Sequence, residues 1–219
     1  MTQLAASQWR YLWFSLAGFV LFALIGLAVA CGVSDPLDRE IFLAAAEWFR
    51  THPWLMTLLA AMSYVAEAIF RIVGAALIIL ALLVARRRRA ALFVFVVVAG
   101  GMVLCSGIKE IVARARPELL PQLDLVHSYS FPSSHAWNGL VFYGQAALIA
   151  TIFLERRWRA PVVAFGILLA LITGFSRIAL GVHWPSDVLA GWIGGASWLM
   201  LCYVWLEPAM EGKQNLPGC

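Results

Sequence analysis

Long uncharged apolar stretches, each closed by a charge cluster, a proline or a polar turn, dominate the chain. A helix crosses a bilayer with roughly 20 apolar residues at about 1.5 Å rise each. Five stretches come near that length without a charge, at about 11–33, 90–108, 136–154, 160–176 and 188–206. A further span, second in chain order, is expected at about 60–85, although it contains Glu67 and Arg71. These two are four residues apart and so share a helical face. A lone charge in hydrocarbon is costly, so a buried ion pair facing the bundle is the simplest expectation, with a substrate-lining role as the alternative. Between the first two spans, Asp35 to His52 mixes charges with Ile41, Phe42, Ala45, Trp48 and Phe49 at helical spacing. That pattern predicts a short amphipathic helix at the interface, ended by Pro53. The expected fold is all-α, a six-transmembrane-helix bundle with a short interfacial amphipathic helix between spans 1 and 2. No linker, repeat or low-complexity tract divides it, so 1–219 reads as a single domain.

Composition agrees. Of 219 residues 63% are hydrophobic and 13% charged, against about 25% charged in soluble domains. Water-soluble enzyme folds, disordered tails and disulfide scaffolds are thereby excluded. The net charge of +4 reads as topology rather than nucleic-acid binding. Nine of the sixteen Lys and Arg fall on the 1–10 tail, the Arg86–Arg89 turn, the Glu155–Arg159 turn and the C-terminal tail. The positive-inside rule therefore places both termini in the cytoplasm. The run ending Leu27-Ala28-Val29-Ala30-Cys31 only loosely matches a lipoprotein cleavage site, so the first apolar run is expected to stay as a membrane helix. Cys31, Cys105, Cys202 and Cys219 form no metal-binding or prenylation pattern and read as packing residues. Trp9, Trp13, Trp48, Trp54, Trp137, Trp158, Trp184 and Trp205 fall mostly near span ends, as an aromatic belt does.

The chemistry-bearing residues gather at the outer ends of spans three to six. Lys109 and Arg116 stand seven residues apart, hence two turns along one face if the third helix runs on to Pro117. Such cations could equally anchor lipid headgroups. Phe131-Pro132-Ser133-Ser134-His135 enters the fourth span, where a serine-rich helix start offers free N–H groups and hydroxyls to an anion, or simply caps the helix. Ser176-Arg177 and then His183-Trp-Pro185-Ser-Asp187 join the fifth span to the sixth. His183 and Asp187 are four apart, a spacing at which a carboxylate holds an imidazole N–H if Pro185 lies in the first helical turn. His52 and His127 lie on outer loops outside these groups and read as incidental.

Lys-x6-Arg-Pro, Pro-Ser-x-His and Ser-Arg-x5-His-x3-Asp, in this order, resemble the three-part signature of the type 2 phosphatidic acid phosphatase superfamily. The resemblance covers about 110–187 by motif and roughly the whole chain by layout. The family usually has glycine where this chain has Ser134, which puts a small hydrogen-bonding side chain where the backbone approaches phosphate.

The resemblance implies a lipid phosphatase of a bacterial inner membrane, with its site on the periplasmic face. His183 would be the nucleophile that forms a phosphohistidine, Asp187 would orient it, and His135 would protonate the leaving group. Lys109, Arg116, Arg177, Ser133 and Ser134 would bind the phosphoryl oxygens. No acidic cluster suits a metal, so neither metal nor cofactor is expected. The expected partners are the bilayer and a lipid phosphate, with undecaprenyl diphosphate first and phosphatidylglycerophosphate, phosphatidate or lipid A next. Phosphotransfer to a second lipid, action on a soluble phosphate, or a non-catalytic transporter or structural bundle are the alternatives.

Overall fold

The computed structural model describes residues 6–124 and 126–211. Every regular element among them is a helix: α1 (Ala6–Ala30), α2 (Asp35–Arg50), α3 (Pro53–Val65), α4 (Ala68–Val84), α5 (Arg88–Val112), α6 (Ser134–Thr151), α7 (Arg156–Ala179) and α8 (Pro185–Glu211). Four of these, over Ser7–Ala30, Arg88–Val112, Arg156–Ala179 and Pro185–Val204, are long and apolar enough to cross a membrane. The chain is an integral membrane protein.

The expected second span is not one helix. It breaks at Ala66 and Glu67 into α3 and α4, whose axes meet at 52°. Glu67 adopts extended backbone and its carboxylate accepts from the Ala68 N–H, which makes it the N-cap of α4. Arg71, buried in the first turns of α4, donates to the Ala66 carbonyl that the break leaves open. The anticipated Glu67–Arg71 ion pair is therefore replaced, because each side chain first satisfies backbone or partners created by the break.

The stretch expected as the fourth span, 136–154, forms α6, which is short and comparatively polar. It sits innermost, against α4, α5, α7 and α8, with Trp137 and Gln145 wholly buried. A helix surrounded by other helices needs no continuous lipid-facing surface, so it can carry His135, Asn138 and Gln145. Trp137 thus belongs to the core rather than to an aromatic belt, whereas Trp9, Trp13, Trp48, Trp54 and Trp158 are exposed. Trp205 and Cys219 lie outside the residues whose side chains are described. Cys105 and Cys202 are buried free thiols, as packing requires, and Cys31 is an exposed one.

α8 approaches α6 closely because Gly191 and Gly195 face it. A Cβ on Gly195 would stand 2.7 Å from the Trp137 carbonyl oxygen, and one on Gly191 would stand 2.8 Å from that of Ser133. This contact brings the N-terminal ends of α6 and α8 together, where the Ser133 N–H donates to the Asp187 carbonyl at 3.0 Å.

α2 forms where the amphipathic pattern predicted it, opened by Pro36 with Asp35 and Asp38 in its first turn. Its apolar face reaches inward: Phe42 is fully buried with Ala136, Ile178 and Val188, and its ring centroid is 5.5 Å from that of Trp184. Pro53 does more than end α2, since it is the first residue of α3.

Candidate active site

α5 ends earlier than expected. Ala113 adopts left-handed backbone at φ 49° and its N–H returns to the Lys109 carbonyl, so residues beyond Val112 leave the helix. Lys109 and Arg116 are consequently not two turns apart on one helical face. They meet instead through the backbone of the following loop: Lys109 Nζ donates to the Tyr129 carbonyl at 2.6 Å and Arg116 Nη2 donates to the same oxygen at 3.2 Å.

His183 lies in the short loop between α7 and α8, 2% exposed. Pro185 opens α8, where its missing N–H is not needed, and this places Asp187 in the first turn. His183 Nδ1 is 3.4 Å from Asp187 Oδ2 and 3.4 Å from Ser130 Oγ, while the Ser130 hydroxyl donates to the same carboxylate oxygen. On the other side of the ring, Arg116 Nη1 is 3.1 Å from Nε2. A guanidinium has no acceptor, so this contact requires a lone pair on Nε2 and puts the ring proton on Nδ1. Burial, followed by the positive charges of Arg116, Lys109, Arg177 and His135, holds His183 well below the ordinary histidine range. The ring is neutral at neutral pH with Nε2 unprotonated.

The cations are held by backbone and by carboxylates. Arg116 also donates to the Val182 carbonyl at 2.6 Å and the Ser128 carbonyl at 2.8 Å. Burial first, then the charge of Arg177, lowers its guanidinium below the usual arginine value. Arg177, 1% exposed, donates to Ser63 Oγ at 2.6 Å and pairs with Asp124 Oδ2 at 2.8 Å, and its Nε has no partner.

At the start of α6, Ser133 is the N-cap: its buried hydroxyl accepts from the Ala136 N–H at 3.4 Å. Ser134 has helical backbone, so the position needs no glycine, and its Oγ is 3.6 Å from Cys105 Sγ. His135 is buried, with Nε2 3.2 Å from Glu67 Oε1 in an ion-pair contact that lacks hydrogen-bond alignment. The structure therefore brings His183, Asp187 and Arg116 into direct contact. Lys109, Arg177 and His135 lie close enough for their charges to act on His183.

Several residues at this end of the bundle were not evident from the sequence. Arg114 Nη1 donates to Asp187 Oδ1 at 2.7 Å and its Nη2 donates to Asp38 Oδ2 at 2.7 Å. The Ser186 N–H donates to Asp38 Oδ1 at 2.8 Å, fastening α2 to the start of α8. Arg114 stands inside the Lys109–Arg116 motif, the one hint available; Asp38, Ser130, Ser63 and Asp124 are distant in sequence from their partners, and Glu67, expected opposite Arg71, meets His135 instead. His52, by contrast, lies apart from the site and contacts the Trp48 carbonyl at 2.9 Å.

This arrangement coincides with a sequence relationship: residues 90–211 match the PAP2 superfamily. The chain belongs to the PAP2 superfamily. Among PAP2 relatives, the phosphatidylglycerophosphatase B of Bacillus subtilis is 28% identical over 178 residues, spanning 79% of this chain and 85% of that protein. An undecaprenyl-diphosphatase of Sulfolobus acidocaldarius is 39% identical over 79 residues, 36% of this chain and 34% of its own length. The crystal structure of a transmembrane PAP2 type phosphatidylglycerolphosphate phosphatase from Bacillus subtilis superposes with a TM-score of 0.77 at 24% identity, covering 93% of this chain and 98% of that one. The PAP2 membrane fold thus extends over nearly the whole chain.

Proposed function

We propose that the protein removes phosphate from a membrane lipid by way of a phosphohistidine on His183. PAP2 membership gives the coarse activity, that of a membrane-embedded lipid phosphatase and phosphoric ester hydrolase. The observation that carries the finer reading is the Arg116 guanidinium 3.1 Å from His183 Nε2. A cation beside an unprotonated ring nitrogen is where an anionic phosphoryl group would dock in line with a nucleophile.

In the first step Nε2 attacks phosphorus, the bond to the leaving oxygen breaks, and a proton from His135 passes to that oxygen. Nδ1–H, held by Asp187 and Ser130, stabilises the positive charge that develops on the ring. Arg116, Lys109 and Arg177, with the N–H groups at the start of α6 and the hydroxyls of Ser133 and Ser134 nearby, stabilise the phosphoryl oxygens. Water then attacks the phosphohistidine, the N–P bond breaks, and neutral His135 takes the water's proton. Three cations supply the charge stabilisation that other phosphatases obtain from metal ions. Among the described residues no group of three or more His, Cys, Asp or Glu is placed to hold a metal.

Counting the bent α3–α4 pair as one crossing and α6 as another gives six spans in one domain. Both termini then lie on the same side, the cytoplasmic side by the arginine-rich Arg86–Arg89 turn, and the site faces outward in a bacterial inner membrane. A lipid phosphate at the outer interface would reach it directly. Phosphatidylglycerophosphate is our first substrate, because the relative of that name aligns along most of its length. Undecaprenyl diphosphate, first by sequence reasoning, stays as the second on its higher identity over a shorter stretch.

Phosphate release by detergent-solubilised protein, with EDTA present, tests this across phosphatidylglycerophosphate, phosphatidate, undecaprenyl diphosphate and lipid A. Release that His183→Ala abolishes is expected. Near-normal turnover by that variant would remove His183 as nucleophile, and loss of activity with EDTA would point to a metal. Appearance of the phosphate on a second lipid would identify a phosphotransferase.

A further inference from the structure

We infer that Glu67 is a positioning residue for His135, forming a second histidine–carboxylate pair that orients the proton donor, favours its charged form and sets how well the enzyme expels an unactivated alcohol. The inference rests on His135 acting as the general acid. Its basis is geometric. The break between α3 and α4 exists at Ala66 and Glu67, and it presents the Glu67 carboxylate to the start of α6, with Oε1 3.2 Å from His135 Nε2. Were α3 and α4 one continuous helix, Glu67 would share a face with Arg71 and could pair with it along the helix. The break assigns the carboxylate to His135 instead.

The surroundings give that assignment a consequence. His135 is buried, and burial disfavours the imidazolium. The Glu67 carboxylate, 3.2 Å from Nε2, acts against that cost because an adjacent negative charge favours the imidazolium. His183 lies close enough for the charge on His135 to act on it in turn. With Nε2–H turned to Glu67, the doubly protonated ring offers Nδ1–H to the leaving oxygen. The Glu67 side chain is 42% exposed, so its outer portion is open to water while its Oε1 faces the ring. The proton balance closes with Glu67 ionised throughout. His135 loses a proton to the leaving oxygen in the first step and regains one from water in the second.

Demand for that proton depends on the leaving group. An alkoxide leaving from a phosphate monoester needs it most; a phenolate or a phosphate leaves with little help. Glu67 therefore matters most for a glycerophospholipid monoester and least for a diphosphate.

Glu67→Gln tests this, since Gln keeps the length and an oxygen to cap α4 but loses the charge. The probes are phosphatidylglycerophosphate in detergent micelles and para-nitrophenyl phosphate. The variant is expected to lose about tenfold more kcat on the lipid than on the aryl ester, a part of the roughly hundredfold or more that a placed general acid supplies. Glu67→Asp, which keeps charge and a capping oxygen but withdraws the carboxylate, is expected to fall between. Equal losses on both substrates would reduce Glu67 to a helix cap and overturn the inference. Nitrogen-15 histidine spectra of the full-length protein, with His135 assigned by its substitution, give a readout independent of turnover. The His135 midpoint should fall in Glu67→Gln, and an unchanged midpoint would overturn the pairing. A shifted midpoint in a protein that hydrolyses neither probe would support the pairing while rejecting the phosphatase reading.

Discussion

Arg114 Nη1 lies 2.7 Å from Oδ1 of Asp187, a carboxylate with no solvent exposure. The same guanidinium reaches Asp38 on α2, so one side chain joins the amphipathic helix, the loop after α5 and the first turn of α8. Asp187 meanwhile faces His183 through its other oxygen. The orientation of His183, the proposed nucleophile, thus depends on a residue that does not touch it.

Replacing Arg114 with Ala leaves two buried carboxylates short of their main cation. Removing one partner of a buried pair destabilises by about 3–5 kcal/mol. A marked fall in thermal midpoint is expected, with loss of activity. Arg114→Lys restores the charge without the two-pronged geometry and should recover only part of either. A thermal midpoint unchanged in Arg114→Ala would show that the network contributes little.

The depressed His183 value has a definite sign. A ring that stays neutral when folded but protonates near the ordinary value of about 6.5 when unfolded adds stability above that pH. This contribution is lost as pH falls from about 6.5 through the lower folded value. The acid limb of kcat/KM should likewise lie below pH 6.5, because His183 remains nucleophilic there. Replacing Arg116 or Lys109 with Gln should move that limb toward neutral pH as a nearby positive charge is removed. Profiles measured in both variants check this, and a limb that stays in place would discount their charges as a cause.

Gly195→Ala would set a methyl 2.7 Å from the Trp137 carbonyl oxygen, a backbone atom that cannot turn aside. Forcing extra volume into a packed contact costs about 1–3 kcal/mol. The expected result is a lower thermal midpoint and reduced activity, since displacing α8 from α6 shifts Asp187 relative to the start of α6. Gly107→Ala, where an added Cβ meets nothing within 4 Å, is the control and should leave both unchanged.

Much of this protein was legible in its sequence. Hydrophobic runs report burial in lipid directly, so α1, α5, α7 and α8 lie near their expected places. Local spacing likewise anticipated the His183–Asp187 contact, because a proline-opened helical turn fixes residues four apart. Periodicity failed where a nonlocal partner overrode it. Nothing in the pattern of 60–85 marks the break at Glu67, whose carboxylate meets His135 sixty-eight positions away. The polar character of α6 made sense only once it was seen enclosed by its neighbours. Arg114, Asp38 and Ser130 were equally silent, since their roles arise from atoms brought together by helix packing. The sequence by itself determined the membrane solvent, the helices that solvent demands and the residue types available for chemistry. Tertiary structure alone decided which charges meet, because pairing among buried charges depends on distances of a few ångströms that no linear spacing across separate helices encodes.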